Sequence, residues 1–249
     1  MSPSDLRSLY FKECDSTNDE IKKWIQKEPD LNHGSYVTAQ SQLKGRGRYG
    51  NSWLDSPESL KISYVVRAIE VPMTWVPLLT GLRLRKALLE CKAELPLDLR
   101  VKWPNDIYVK REDGYFKCAG ILCEAVSSLP SVVIVGIGVN CETAPTIVEK
   151  ECAAVGIQRS ELLAKLTTSM QEPFYTREVE RILLEHDEIF LYRRGTLVQW
   201  TDSHTTDAAT GSRSTGRVLG LGSAGELKVE GRFGTELLMS HEVSQVRET

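Results

Sequence analysis

The sequence predicts an α+β fold in two parts, an α+β body over residues 1–193 and a small β-barrel over 194–249. Three observations carry this. Short runs such as YVTAQ, LKISYVVR and SVVIVGIGVN are β-branched or alternate in polarity, which is strand patterning. Between them lie longer stretches whose apolar residues recur three and four apart, which is helix patterning. After Arg193, Arg194 and Gly195 the composition shifts to strand-like runs separated by Gly, Ser and Asp, the layout of a small antiparallel barrel.

Taken in order, residues 7–13 read as a strand and STNDEIKKWIQ as a helix. Thr17 and Glu20 have capping-box spacing, and Ile21, Trp24 and Ile25 share a face. YVTAQ and LKISYVVR are strands on either side of a glycine-rich segment. Residues 75–92 read as a helix with Leu78, Leu79, Leu82, Leu88 and Leu89 as its buried stripe. LRVKWPNDIYVK, KCAGILCEAV and SVVIVGIGVN give three further strands. Pro104 interrupts the first of them, where an edge or a bulge is expected. Helices over about 160–170 and 176–192 close the body, with Val179, Ile182, Leu183, His186 and Ile189 on one face of the second. DAATGSRSTG is expected to form a mobile turn of the barrel.

Composition excludes several classes. The 249 residues carry 31 Lys and Arg against 34 Asp and Glu, a net charge of −3, so no general basic surface for nucleic acid is expected. The first residues, MSPSDLRSLYFKECDST, lack the cationic and apolar layout of a secretory signal. The apolar runs are too short to span a bilayer, so no membrane contact is expected. The six cysteines (14, 91, 118, 123, 141, 152) include no Cys-x-x-Cys, and reduced thiols in a cytoplasm are the expected state.

Against this acidic balance, KGRGRYGNSW (44–53) packs three cations and three glycines into ten residues. Glycine lets a backbone amide approach a ligand closely, and arginine offers a rigid charged fork for phosphate or carboxylate oxygens. Taken alone, the stretch suits a solvated turn, a nucleic-acid contact or a small anion. No Walker loop occurs, and no G-x-G-x-x-G follows a strand and opens a helix. KWPND (102–106) presents an amide and a carboxylate at a break in a strand, or is a bulge with polar caps. Lys117 begins an apolar strand that has Gly120 in it, where a solvated strand end is the ordinary reading. GIGVN (136–140) by itself reads as a turn.

Together and in this order, DSTND (15–19), Q-x-x-GRGRYGNSW (42–53), KWPND, KCAGIL (117–122), GIGVN and the C-terminal GRVLGLGSAGEL…SHEVSQVR resemble the biotin protein ligases, over most of the chain. The pairing of GRGR-x-G-x-x-W with KWPND is the specific part. The resemblance is to the short form, for which no N-terminal DNA-binding domain and no nucleic-acid partner are expected. It implies a catalytic core like that of class II aminoacyl-tRNA synthetases, with a mixed sheet, followed by an SH3-like barrel. Three departures stand out: a long polar linker REDGYFK, LGLGSAGEL without the common aspartate, and SHEVS for SGEVS.

The chemistry implied by the resemblance is ATP-dependent. Biotin is activated to biotinyl-5′-AMP with Mg²⁺ present, then passed to a lysine of a biotin carboxyl carrier domain of a biotin-dependent carboxylase. Carried over residue by residue, Ser16, Thr17, Asn18 and Gln42 line the biotin pocket. Gly45, Arg46, Gly47, Arg48, Lys117 and Gly120 surround its carboxylate. Arg46, Arg48, Trp53, Lys102, Asn105, Lys117 and Asn140 take the ATP or adenylate. Lys117, Arg48 and Asp106 are the expected catalytic set, with Asp106 also the expected Mg²⁺ ligand. A monomer or weak dimer is expected. The rival readings are a lipoate–protein ligase, whose usual loop differs from GRGRYGNSW, and a non-catalytic biotin-binding or nucleic-acid-binding regulator.

Overall fold

A run of valine, isoleucine and glycine at Leu129–Val139 becomes the central strand of the larger sheet, and its neighbours explain why it is apolar on both faces. The computed structural model describes residues 6–54, 56–67, 70–91, 96–145, 152–202, 213–240 and 243–249. In chain order the body comprises β1 (Ser8–Cys14), α1 (Thr17–Lys27), β2 (Tyr36–Gln42), β3 (Leu60–Val66), α2 (Val76–Leu89), β4 (Leu99–Lys102), β5 (Asp106–Arg111), β6 (Gly114–Val126) and β7 (Leu129–Val139). Then follow α3 (Arg159–Met170), α4 (Thr176–Leu184) and α5 (His186–Ile189). The first sheet runs β1-β2-β3-β7-β6-β5-β4, with β1 and β2 parallel and every other pair antiparallel.

Alternate residues of β7 point to opposite faces. Val132 and Ile134 pack with Ile21, Trp24 and Ile25 of α1. Val133, Val135 and Ile137 belong to the larger core, which also takes Leu78, Leu79 and Leu82 of α2 and Leu162 and Leu166 of α3. The sheet is therefore a middle layer, with α1 on one side and α2 and α3 on the other.

The C-terminal strands, β8 (Leu197–Asp202), β9 (Arg213–Leu221), β10 (Leu227–Gly231), β11 (Gly234–Leu238) and β12 (Val243–Glu248), form a second, wholly antiparallel sheet in the order β11-β10-β9-β8-β12. Three buried aromatic side chains of the body donate across to its main chain. Trp75 Nε1 reaches the Ser223 carbonyl at 2.9 Å, Trp103 Nε1 the Gly225 carbonyl at 3.0 Å, and Tyr192 OH the Val246 carbonyl at 3.0 Å.

Four expectations need correcting. LRVKWPNDIYVK is two strands, not one: β4 and β5 pair as a hairpin around Trp103–Asn105, and the Trp103–Pro104 peptide is cis. GIGVN lies within and just beyond β7, because both glycines are held in ladders on each side. The helix expected over 176–192 breaks at Glu185 and ends at Ile189. Phe190 there turns extended and Leu191 donates to the Val101 carbonyl of β4. The capping box of Thr17 and Glu20 does not form. Ser16 is the N-cap, the Thr17 amide goes to Gln42, and Glu20 pairs with Lys23. Of DAATGSRSTG, residues 207–212 lie outside the described residues, and the remainder begins β9. Among the described residues no helix is long and apolar enough to cross a membrane.

Candidate active site

The period of two that buries β7 under α1 also opens a cleft. Val132 and Ile134 fill the α1 face, and the next two residues on that face are Gly136 and Gly138. Their ladder partners share the face: Ser63 and Leu122 beside Gly136, Lys61 and Gly120 beside Gly138. A Cβ on Gly136 would lie 2.3 Å from Asn18 Oδ1, and one on Gly138 2.5 Å from the Trp53 ring. Only glycine admits those two side chains. Gly120 supports the same indole, with Trp53 Cζ3 3.1 Å from where its Cβ would sit.

Over Gly136, the start of α1 is locked by a directional network. The Ser63 hydroxyl lies 2.5 Å from Asn18 Oδ1 and 2.7 Å from Thr17 Oγ. A carbonyl oxygen only accepts, so Ser63 donates to Asn18, while the Thr17 hydroxyl beside it donates to Gln42 Oε1 at 3.1 Å. The Asn18 amide donates to Glu124 Oε2 at 2.6 Å, and Lys22 donates to the other Glu124 oxygen at 2.7 Å. Gln42 Oε1 accepts the Thr17 N–H at 2.8 Å. Ser16, Thr17, Asn18 and Gln42 thus meet at one end of the cleft. Ser63 and Glu124 were not anticipated, because their partners lie far along the chain.

The glycine loop crosses above Gly138. Gly45 does not line the cleft. Its carbonyl accepts the Trp53 N–H at 2.9 Å, and its Cβ would stand 2.7 Å from the Trp53 oxygen, so it closes the neck of the loop instead. Arg46 lines the cleft but is committed, forming a fork on Asp19 at 2.6 and 2.7 Å with Glu124 at 3.8 Å. That hydrogen bond holds the Asp19 carboxyl below its ordinary range and raises the Arg46 guanidinium. The Gly47 N–H donates to the Asn51 carbonyl at 2.7 Å. Arg48 reaches Asn105 Oδ1 at 3.3 Å, and its other terminal nitrogen meets the Ser240 carbonyl.

The hairpin turn of β4 and β5 forms the opposite wall. Asn105 Nδ2 donates to the Ile121 carbonyl at 2.7 Å and its own carbonyl accepts the Ile121 N–H at 2.9 Å, which bolts the turn to β6. Asp106 Oδ1 lies 2.7 Å from Lys117 Nζ, an ion pair whose angle is not that of a hydrogen bond. Lys102 stands 5.1 Å from the Tyr108 ring and 5.8 Å from that of Tyr192, and burial lowers its pKa. Asn140 is 3% exposed with Oδ1 unpartnered, and Trp53 Nε1 is likewise buried and unpartnered. Buried polar atoms without partners are uncommon, and these two face the same cleft.

The cleft has a volume of about 1330 Å³, more than one small ligand needs. Tyr108, Cys152 and Arg247 of β12 line it too, and the sequence reading did not include them. Its described lining residues include five cations, Arg46, Arg48, Lys102, Lys117 and Arg247, and one carboxylate, Asp106, with Asp19 and Glu124 behind Arg46.

The model of the biotin/lipoate A/B protein ligase family matches residues 10–140, more than half of the chain. The chain belongs to this family. The matched segment runs from Tyr10, within β1, to Asn140, and so contains β2 to β7, most of β1 and the glycine loop. The biotin–[acetyl-CoA-carboxylase] ligase of Mycobacterium tuberculosis is 26% identical over 198 residues, 78% of this chain and 65% of that protein. Biotin–protein ligase 1, chloroplastic, of Arabidopsis thaliana is 32% identical over 141 residues, 54% of this chain and 36% of that one. These matches span about two thirds and about a third of the two relatives. The biotin protein ligase from Aquifex aeolicus in complex with biotin and ATP is similar over 98% of this chain and 99% of that one, with 25% identity and a TM-score of 0.74. That likeness bears out the mixed sheet followed by a second, antiparallel one.

Proposed function

We propose that the protein is an ATP-dependent biotin protein ligase acting in the cytoplasm on a biotin carboxyl carrier domain. The observation that carries this is the charge of the cleft: five cations and one carboxylate among its described lining residues, in a chain of net charge −3. Joining a carboxylate to a phosphate brings two anions together, so positive charge must be in place beforehand.

In the first step a biotin carboxylate oxygen attacks the α-phosphorus of ATP. The bond to the β-phosphate breaks, and pyrophosphate leaves. Ser16, Thr17, Asn18 and Gln42 receive the ureido ring, whose donors and acceptors suit hydroxyls and amides. Asp106 keeps Lys117 Nζ at the floor of the cleft, 2.7 Å away, where the ammonium serves as an electrostatic clamp between carboxylate and phosphate. Arg48 adds charge from above, and Asn140 offers its unpartnered carbonyl to the adenine amino group. The indole of Trp53 walls the cleft over Gly120 and Gly138.

In the second step a carrier lysine attacks the acyl carbon and AMP leaves. With a reference pKa near 10.4 this amine must shed a proton, and Asp106 is the carboxylate placed to receive it. Among the described residues no three His, Cys, Asp or Glu side chains gather to hold a metal. Mg²⁺ would enter with ATP, Asp106 is the carboxylate of the cleft that would hold it, and the ion would supply charge neutralisation.

The test incubates the protein with ATP, Mg²⁺, biotin and a carrier domain, followed by a streptavidin blot. Labelling that needs all four components supports the reading. No biotin labelling, or a carrier whose mass rises by a lipoyl group when lipoate replaces biotin but not with biotin, sinks it.

A further inference from the structure

The loop that carries Arg48 ends on the second sheet. The Tyr49 hydroxyl donates to the Ser240 carbonyl at 2.6 Å and lies 3.0 Å from the Val243 carbonyl. It accepts from Arg48 Nη2 at 3.0 Å, and the guanidinium also lies 4.9 Å from the Tyr49 ring centre. Arg48 itself donates to the Ser240 carbonyl and to Asn105 Oδ1. One guanidinium is thus held by its own loop, by the hairpin turn and by the second sheet.

Two further features say that these contacts, and not packing, fix Tyr49. The residue is 54% exposed, so burial contributes little. Its backbone is left-handed, at φ 56° and ψ 30°, where an aromatic residue is rarely found without compensating contacts. Gly50 continues the turn at φ 73°. The platform beyond is firm, because Trp75, Trp103 and Tyr192 seat the second sheet through buried hydrogen bonds.

We propose that Tyr49 is a positioning residue for Arg48. Its hydroxyl bridges the glycine loop to the main chain at Ser240 and Val243, and so sets where Arg48 meets the nucleotide. The role in binding rests on the adenylation reading above. The bridge itself does not.

Tyr49→Phe removes the hydroxyl and keeps the ring under Arg48. In ligand-free protein, hydrogen exchange should quicken by roughly 3- to 10-fold, the worth of one hydrogen bond, both in residues 44–53 and around Ser240 and Val243. Central strands β3 and β7 should exchange as in the parent. In biotin-dependent pyrophosphate release, the KM for ATP should rise by a similar factor while that for biotin stays put. Unchanged exchange, or faster exchange in the loop alone, overturns the bridge. Faster exchange in both segments with an unchanged KM for ATP overturns the positioning role. If the parent releases no pyrophosphate, the adenylation reading fails, and exchange still decides the bridge.

Discussion

The cleft has two walls of different build. The hairpin turn Trp103–Asn105 is tied down by an indole and an amide that bond to backbone on two sides. The glycine loop opposite is attached through charged and hydroxyl ends: Arg46 to Asp19, Arg48 and Tyr49 to Ser240. Neutral bonds between buried groups hold geometry, whereas exposed ion pairs contribute little and exchange readily for a new anion. One wall is a fixed template, and the other is held largely by charged ends that an incoming anion can claim.

The comparison breaks most directly at the floor that both walls share. Gly138→Val should displace the Trp53 ring and cost roughly 100-fold or more in biotin-dependent pyrophosphate release, as misplacement by an ångström does elsewhere. Near-parental rates would mean that the indole does not shape the site. Arg48→Ala on the charge-held wall should lower the same rate by roughly 10- to 100-fold, the worth of a charge-assisted bond, with thermal stability nearly kept. Asn105→Ala on the fixed wall should do the reverse. It leaves the Ile121 carbonyl short of a donor, and unfolding in urea should register a loss of about 1–3 kcal/mol. Should Arg48→Ala prove the less stable of the two, the contrast between the walls is wrong.

Smaller effects sharpen the same picture. Ser63→Ala removes the donor that orients Asn18, and the KM for biotin should rise several-fold, about one hydrogen bond's worth, while the KM for ATP holds. Equal rises in both would remove Ser63 from the biotin end. The Asp19 carboxyl has a lowered pKa in the folded protein, so its pair with Arg46 is fully formed above the ordinary carboxylate pKa. The pair is lost as pH falls through the depressed value, and its stabilisation of up to about 1 kcal/mol goes with it. Asp19→Asn should therefore flatten the acid side of the stability–pH curve slightly, by thermal melts between pH 3 and pH 5. A curve that steepens instead would contradict the sign.

Much of the site was legible because its chemistry is local in the chain. Arg46 and Arg48 stand among glycines, Lys102 and Asp106 flank a proline, and strand alternation placed β3 and β7 correctly. What stayed hidden depends on pairing across distance. Asn18 meets Glu124 across 106 residues and Ser63 across 45, and no spacing rule reports that. SVVIVGIGVN reads as a strand, but GIGVN by itself reads as a turn because glycine weakens strand patterning, although here Gly136 and Gly138 are the strand's reason for accepting Asn18 and Trp53. Helix α4 was drawn too long because periodicity cannot see that Leu191 joins β4.

The three aromatic donors that seat the second sheet all end on main-chain oxygens: Ser223, Gly225 and Val246. A peptide carbonyl is the same whichever side chain accompanies it. Mutational drift can therefore rewrite the C-terminal strands while the joint survives, and family likeness by sequence can fade there before likeness of shape does. The seat reads as an adapter, open to new surfaces on its outer side at no loss to the chemistry within.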